Sequence, residues 1–350
     1  MGSLLAELGV NLPQRFKRLV GMFLMAVAGF CFVLSGGLTQ LAMEIAIRNN
    51  STLSPLQVIT VRSVVSFVCN LAVMIVRGTH PYGDRCSNIA LYTLLAIFKE
   101  TNLFFQYSAL SLIPIGDFNV LEFTSPVFSA LFGFICLAQR CSILDSFLGA
   151  LSFVGVIFVA RPQWLFTETS DMSYFDASQY FKGVIFSLAA AISMSLHYVL
   201  NSYLGKSMPI VLSVFYPNMY GAVIPPLIML TLGQKFILTE LDVVGWTLLL
   251  VVGVLSSVGM LCCSESFQFE NVGPVSLIRG LDIVYAIIVQ LVLVKVKVTW
   301  NVLVGALIIL STTSIIILNR WIGIQEWIEQ RLCTSKYDRV NSDDEVDGSS

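Results

Sequence analysis

Long apolar stretches alternate with short polar breaks along the whole chain. Ten of these stretches are long enough for a helix that crosses a bilayer, which takes about 20 apolar residues. They cover residues 19–41, 55–76, 89–110, 116–138, 143–160, 182–204, 209–232, 243–266, 272–294 and 300–319. Because they do not alternate apolar and polar positions, they fit helices and not barrel strands. The pattern predicts an all-α polytopic membrane protein with ten transmembrane helices.

The composition excludes several other classes of protein. Hydrophobic residues make up 56% of the 350 residues and charged residues only 12%, whereas about a quarter of a soluble domain is charged. The net charge of −2 indicates no basic surface for nucleic acid. The two histidines, His80 and His197, form no H-E-x-x-H motif, and the vicinal pair Cys262-Cys263 does not have the spacing of a zinc site. We therefore expect neither an enzyme nor a bound cofactor or metal.

The basic residues of the loops indicate an orientation, because Lys and Arg concentrate in short cytosolic loops. Placing the N-terminal segment 1–18 in the cytosol puts 11 basic residues of the loops and termini inside and six outside. An even number of helices then places the C-terminal tail, 321–350, in the cytosol as well. The sequons at Asn49 and Asn50 fall in the first outer loop, and their glycosylation stays open.

The chain contains an internal repeat. GMFLMAVAGFCFVLSGGL from Gly21 is similar to GVIFSLAAAISMSLHYVL from Gly183, and Gly149 precedes Gly305 by 156 residues. The sequence thus divides into a five-helix repeat at 19–160, an outer connecting loop at 161–181, and a second five-helix repeat at 182–320. An odd number of helices in each repeat forces opposite orientations, and inverted repeats are typical of secondary transporters. Gly36-Gly37, Gly149 and Gly305 predict close helix packing.

Two longer stretches resemble a known family. They are GDFNVLEFTSPVFSALFGFICLAQRCSILDSFLGALSFVGVIFVARP from Gly116 and ENVGPVSLIRGLDIVYAIIVQLVLVKVKVTWNVLVGALIILST from Glu270. Both resemble the EamA-type domain of the drug/metabolite transporter superfamily, and within it the solute carrier 35 group, member G branch. The resemblance covers about residues 20 to 320 and implies a ten-helix bundle of two inverted repeats with alternating access. One departure is Gln139, which stands where many members have a Glu.

Ionisable residues inside a span cost about 2.5–3.5 kcal/mol each on insertion scales, so each is a candidate functional residue. Three are cations, Arg62, Lys99 and Arg279. Arg62 either receives an anionic group or forms a structural ion pair with Glu122 or Glu100 of a neighbouring helix. Arg279 and Asp282 are three residues apart and share a helix face, so they either neutralise each other or hold a substrate carboxylate or phosphate. The resemblance favours function for this pair.

Other polar residues at membrane depth complete the predicted site. Lys99 and Glu100 are adjacent and point about 100° apart, so one can face a cavity and the other a helix. Glu122, Glu100 and His197 are candidates for a coupling proton, although a lone His on an apolar helix more often packs against its neighbours. Asn119 and Tyr216 are candidates for lining the substrate path, although most aromatic residues here serve packing.

The sequence therefore predicts a secondary transporter of a small organic solute that works by alternating access. The three cations favour an anion such as a carboxylate or a nucleotide sugar. The alternative is a membrane adaptor or regulator that kept the fold without transport. The expected partners are the substrate, the lipid bilayer, a homodimer mate and a cytosolic sorting adaptor at Tyr337. The plasma membrane and the endomembranes (endoplasmic reticulum, Golgi, endosome) both stay open.

Overall fold

The computed structural model describes residues 13–48, 54–80, 89–110, 112–113, 115–139, 143–160, 177–205, 209–231, 242–293 and 300–322. This part of the chain forms helices and contains no strand. In order, its helices are α1 Gln14–Arg48, α2 Pro55–Val76, α3 Ile89–Leu110, α4 Ile115–Glu122, α5 Ser125–Leu137, α6 Ile143–Ala160, α7 Ala177–Gly205, α8 Ile210–Thr231, α9 Val243–Phe269, α10 Val272–Ile278, α11 Leu281–Leu293 and α12 Trp300–Ile322. The predicted features at Asn49, Asn50 and Tyr337 lie outside the described residues.

The exterior of the molecule is apolar. Among the described residues, eight stretches are long and apolar enough to cross a membrane, and Leu144–Val159 in α6 is a shorter apolar helix. Large side chains such as Phe23, Val127 and Leu230 are 62–67% exposed, which suits contact with lipid and not with water. The prediction of an all-α polytopic membrane protein is confirmed.

Two of the predicted runs are not single helices. The run 116–138 is divided between α4 and α5 at Phe123 and Thr124, and the run 272–294 between α10 and α11 at Arg279 and Gly280. Pro126 follows the first division in the first turn of α5, where the N–H that proline lacks has no helical partner anyway. Helices α5 and α11 are both 13 residues long and begin 156 residues apart.

The helices pack mainly in four pairs. These pairs are α1 with α9, α3 with α7, α2 with α8, and α6 with α12. Helix α5 also packs on α7, and α11 packs on α1. Every one of these pairs joins a helix of residues 14–160 to a helix of residues 177–322. The two halves of the chain therefore share their principal interfaces.

Glycines allow the closest helix contacts. A Cβ atom on Gly305 of α12 would lie 2.6 Å from the Gly155 carbonyl oxygen of α6, and one on Gly149 would lie 2.9 Å from a Leu277 methyl. Close packing at Gly149 and Gly305 is thus confirmed. The same prediction for Gly36 is wrong, because a Cβ there would meet nothing within 4 Å. Helix α1 is apolar around most of its circumference, so the sequence did not indicate which of its faces is packed.

Candidate functional site

Arg279 lies in the turn between α10 and α11, not inside a continuous ninth helix as the sequence suggested. The predicted pairing with Asp282 forms across this turn: Nε donates to Asp282 Oδ2 at 3.0 Å. Nη1 donates to the Tyr198 hydroxyl oxygen of α7 at 2.6 Å, and the guanidinium carbon lies 5.7 Å from the centre of the Tyr198 ring. Two contacts from two elements therefore orient the guanidinium group.

The Asp282 carboxylate is satisfied on one side only. Oδ2 accepts from Arg279, whereas Oδ1 is buried and accepts no hydrogen bond from any described residue. Oδ1 lies against Gly29 of α1, where an added Cβ would collide with it. Because only a glycine leaves this room, α1 forms a close wall behind the carboxylate.

The two divided helices approach each other at their turns. A Cβ on Gly280 would lie 3.2 Å from the Phe123 ring and 3.2 Å from the Ser152 hydroxyl oxygen. Glu122, which ends α4 just before its turn, is close enough to Arg279 and Asp282 for their charges to interact. Both interruptions of the helical pattern thus lie beside the same group of charges.

Lys99 and Glu100 of α3 point to different neighbours, as their adjacent positions predict. Lys99 is 9% exposed, and its charge interacts with those of Arg62 and Arg279. Glu100 points toward α8, where a Cβ on Gly221 would lie 3.0 Å from Glu100 Oε1. Lys99 is therefore near both the cation of α2 and that of the α10–α11 turn.

Arg62 of α2 is half-buried, and its charge interacts with those of Lys99 and Glu100. Of the two acidic neighbours considered for it, the structure thus places Glu100 within reach. Three cations from three separate elements belong to one cluster, which we call the charged cluster. Its members are Arg62, Lys99, Glu100, Glu122, Arg279 and Asp282.

His197 of α7 lies beside the charged cluster and is 2% exposed. Its Nδ1 lies 3.2 Å from the Leu95 carbonyl oxygen of α3, and its ring interacts with the charge of Lys99. One ring nitrogen is therefore engaged by the backbone, which is the packed arrangement that a lone buried histidine usually has.

Asn119 and Tyr216 have different surroundings. The Asn119 side chain is exposed on α4. The Tyr216 ring stacks on Tyr92 with centroids 5.2 Å apart and an interplanar angle of 3°, inside a core between α3 and α8.

Sequence reasoning missed three features of the site. The first is Gly29, whose contact with Asp282 of α11 could not be predicted from the sequence of α1. Cys263 of α9 looked like a small apolar residue but lies close enough to interact electrostatically with Arg279, Lys99 and Asp282. The third feature is Gln139, which follows α5 and whose Oε1 accepts from the Val272 backbone N–H at 3.0 Å, so that it caps the start of α10.

The fold and the charged cluster define a multi-pass α-helical membrane protein with ionisable groups enclosed between its two halves. Within the described ranges, no group of three His, Cys, Asp or Glu side chains could hold a metal ion. The EamA-like transporter family matches residues 19–161 and 181–318, so the chain belongs to that family. Its members are transporters and not enzymes, and this chain is an integral, multi-pass membrane transporter of small solutes.

Several known proteins are similar to it. Solute carrier family 35 member G1 of Mus musculus is 27% identical over 273 residues, which cover 75% of this chain and 70% of that protein. The human protein of the same name is 27% identical over 272 residues, 74% of this chain and 70% of its own length. A probable transport protein of Saccharomyces cerevisiae is 23% identical over 258 residues, covering 70% and 73%. A solved crystal structure with 14% identity superposes with a TM-score of 0.66, covering 83% of this chain and 95% of that one, which indicates a common fold.

Proposed function

We propose that this transporter carries a small organic anion, such as a carboxylate or a nucleotide sugar, by alternating access. The observation that carries the proposal is the convergence of Arg62, Lys99 and Arg279, from three elements, on one buried cluster. Burying a cation in a membrane protein is costly, and such residues usually mark a substrate or ion pathway.

The chemistry of Arg279 suits an anionic ligand. A guanidinium group has five N–H donors in a planar fork that matches carboxylate and phosphate oxygens. Two of its N–H groups are engaged by the Asp282 and Tyr198 contacts, which leaves three for a ligand. Lys99 adds a second positive charge nearby, and its flexible side chain suits a second anionic oxygen.

The arrangement of the helices supports two inverted five-helix repeats, predicted at 19–160 and 182–320. Helix α7 begins at Ala177, so the second repeat starts inside the stretch 161–181 that was predicted as an outer loop. The divided helices occupy corresponding places in the two halves, with α5 and α11 beginning 156 residues apart. Contacts are reciprocal: the first long helix of each half packs on the third long helix of the other. Discontinuous helices at corresponding places are the usual position of a transporter's substrate site.

The ten-span topology with both termini in the cytosol is part of this proposal. Asn119 and Tyr216 as further substrate contacts, and Glu122, Glu100 and His197 as sites of a coupling proton, stay predictions. So do the homodimer and the sorting adaptor at Tyr337.

Uptake into proteoliposomes tests the proposal. Wild type, Arg279→Ala and Lys182→Ala are reconstituted and assayed with labelled succinate, benzoate and UDP-glucose. Lys182 is an exposed cation on α7 and is the matched control. We expect saturable uptake of at least one anion by wild type and by Lys182→Ala, and at least tenfold less by Arg279→Ala.

Two results would contradict the proposal. Equal uptake by Arg279→Ala and Lys182→Ala would remove Arg279 from the substrate site. If wild type takes up none of the three anions but carries neutral or cationic solutes, the anion assignment is wrong. If it carries no solute at all, the adaptor alternative is favoured, since a shared fold does not fix function.

A further inference from the structure

The Asp282 carboxylate has an unusual environment for a charged group at membrane depth. One oxygen, Oδ2, is bonded to Arg279 Nε at 3.0 Å, and the other, Oδ1, is buried without a hydrogen-bond donor among the described residues. Carboxylates generally accept bonds on both oxygens, and a buried acceptor left unsatisfied is costly, more so when it is charged. A proton is the smallest group that could bind to Oδ1.

Neighbouring groups do not supply that donor. Helix α1 presents Gly29, which has no side chain. The titratable and charged groups that face Asp282 from the other elements are Arg279 in its own turn, Glu122 on α4, Tyr198 on α7, Cys263 on α9 and Tyr285 on α11. Arg279 is the one cation among them, and Glu122 adds a second negative charge that repels Asp282.

Asp282 is also bonded to the Arg279 guanidinium group, which a substrate anion needs as its partner. Its carboxylate already neutralises Arg279, so an incoming anion meets a guanidinium with a negative partner in place. Two anions sharing one guanidinium repel each other at short range and low dielectric. The conflict is removed if Asp282 takes up a proton when the anion binds.

We infer that Asp282, in place of the candidates predicted from the sequence, is the internal counter-anion of Arg279 and the site at which a proton couples to anion binding. This inference rests on the proposed function. In the empty protein, Arg279 is paired with the Asp282 carboxylate. When a substrate anion arrives, Asp282 Oδ1 accepts one proton from water, and the substrate anion becomes the partner of the guanidinium. One proton and one negative charge enter together, so the net charge of the site is unchanged.

Release reverses these steps. The anion leaves Arg279, Asp282 loses its proton to water, and the ion pair forms again. Because the proton and the anion travel in the same direction, the mechanism is symport. Glu122 belongs to the cluster, but no direct bond to Arg279 is described for it, and its removal would leave the Arg279–Asp282 pair in place.

The test uses full-length protein in proteoliposomes with pyranine inside to report internal pH. Labelled succinate, benzoate and UDP-glucose are the probes, with and without an inwardly directed proton gradient. The variants are Asp282→Asn, which mimics the protonated carboxyl, and Glu122→Gln as the comparison carboxylate. Asp242→Asn is the matched control, because Asp242 is exposed at the start of α9 and Asn is an equally good helix cap.

We expect the gradient to raise uptake by wild type and by Asp242→Asn at least fivefold, with acidification of the vesicle interior. Asp282→Asn should show less than a 1.5-fold response to the gradient and exchange labelled for unlabelled anion at a KM at least threefold lower, because its internal competitor is gone. Glu122→Gln is expected to be slower but still to respond at least threefold to the gradient.

Several outcomes would overturn the inference while leaving anion transport intact. They are a gradient response in Asp282→Asn that equals wild type, loss of the response in Glu122→Gln instead, or loss of anion exchange in Asp282→Asn although the protein remains monodisperse. If Asp282→Asn does not fold, Asp282→Ser is used with the same expectations. An absence of anion uptake by wild type would instead refute the proposed function, and the inference with it.

Discussion

Replacing Gly29 by alanine tests whether α1 holds the Asp282 carboxylate in place. The new methyl group would collide with Asp282 Oδ1 and lie 3.2 Å from Asp282 Cγ. Relief of this overlap requires Asp282 to turn away from α1 or the helices to separate. Either movement disturbs the 3.0 Å bond to Arg279.

The expected magnitude follows from two opposing terms. Inserting a methyl group into a packed contact costs about 1–3 kcal/mol. Alanine is about 0.8–1 kcal/mol more favourable than glycine in a helix. We therefore expect Gly29→Ala to lower the free energy of unfolding by up to about 2 kcal/mol and to alter anion affinity.

Gly36→Ala is the matched control because it lies on the same helix, two turns away, and its added Cβ would meet nothing within 4 Å. It is expected to be neutral or to stabilise the protein by up to about 1 kcal/mol. Unfolding in mixed SDS–detergent micelles measures both variants, and uptake measures the site. If Gly29→Ala matched Gly36→Ala in stability and in KM, α1 would not constrain Asp282.

Two further variants test single hydrogen bonds, one made by Tyr198 and one made by Gln139. Tyr198→Phe removes the acceptor of the 2.6 Å bond from Arg279. Since bonds to charged groups contribute about 1.5–3 kcal/mol, anion affinity should fall about tenfold or more. Tyr203→Phe, on the same helix and with its side chain 53% exposed, should change KM less than threefold, and equal effects of the two variants would contradict a special role for Tyr198. Gln139→Leu leaves the Val272 N–H without its partner and should lower the free energy of unfolding by about 1–3 kcal/mol. Gln139→Glu keeps an acceptor oxygen and should lower it by less than half as much. Equal losses in the two variants would mean that the capping bond contributes nothing.

The helices could be predicted because lipid imposes a simple rule on the backbone: an apolar segment must satisfy its own hydrogen bonds. The turns at Phe123 and Arg279 escaped prediction because two non-helical residues inside an apolar run change its composition very little. Pro126 and Gly280 lie beside these turns, but proline in a first turn and an isolated glycine are common in uninterrupted segments too.

The charged residues of the site could be predicted one by one, since each is costly in a membrane. Their partners could not, because the contacts of Asp282 with Gly29 and of Arg279 with Tyr198 join residues more than 80 positions apart. The pairing of Arg279 with Asp282 could be predicted because the two residues are only three positions apart. The stack of Tyr216 on Tyr92 likewise joins two distant positions, and the sequence did not indicate it.

The packing of α1 on α9 has a consequence for how the protein is made. The Ser35 hydroxyl of α1 lies 3.0 Å from the Ser256 hydroxyl of α9, and the two residues are 221 positions apart. Ribosomes add about 5–20 residues per second, so α1 waits on the order of ten to forty seconds for its principal partner. During that interval its polar and glycine-lined face lies in the bilayer without the helix that later covers it. Helix α1 therefore completes its packing long after it has been synthesised, and a helper that shields this face would act on α1 during that interval.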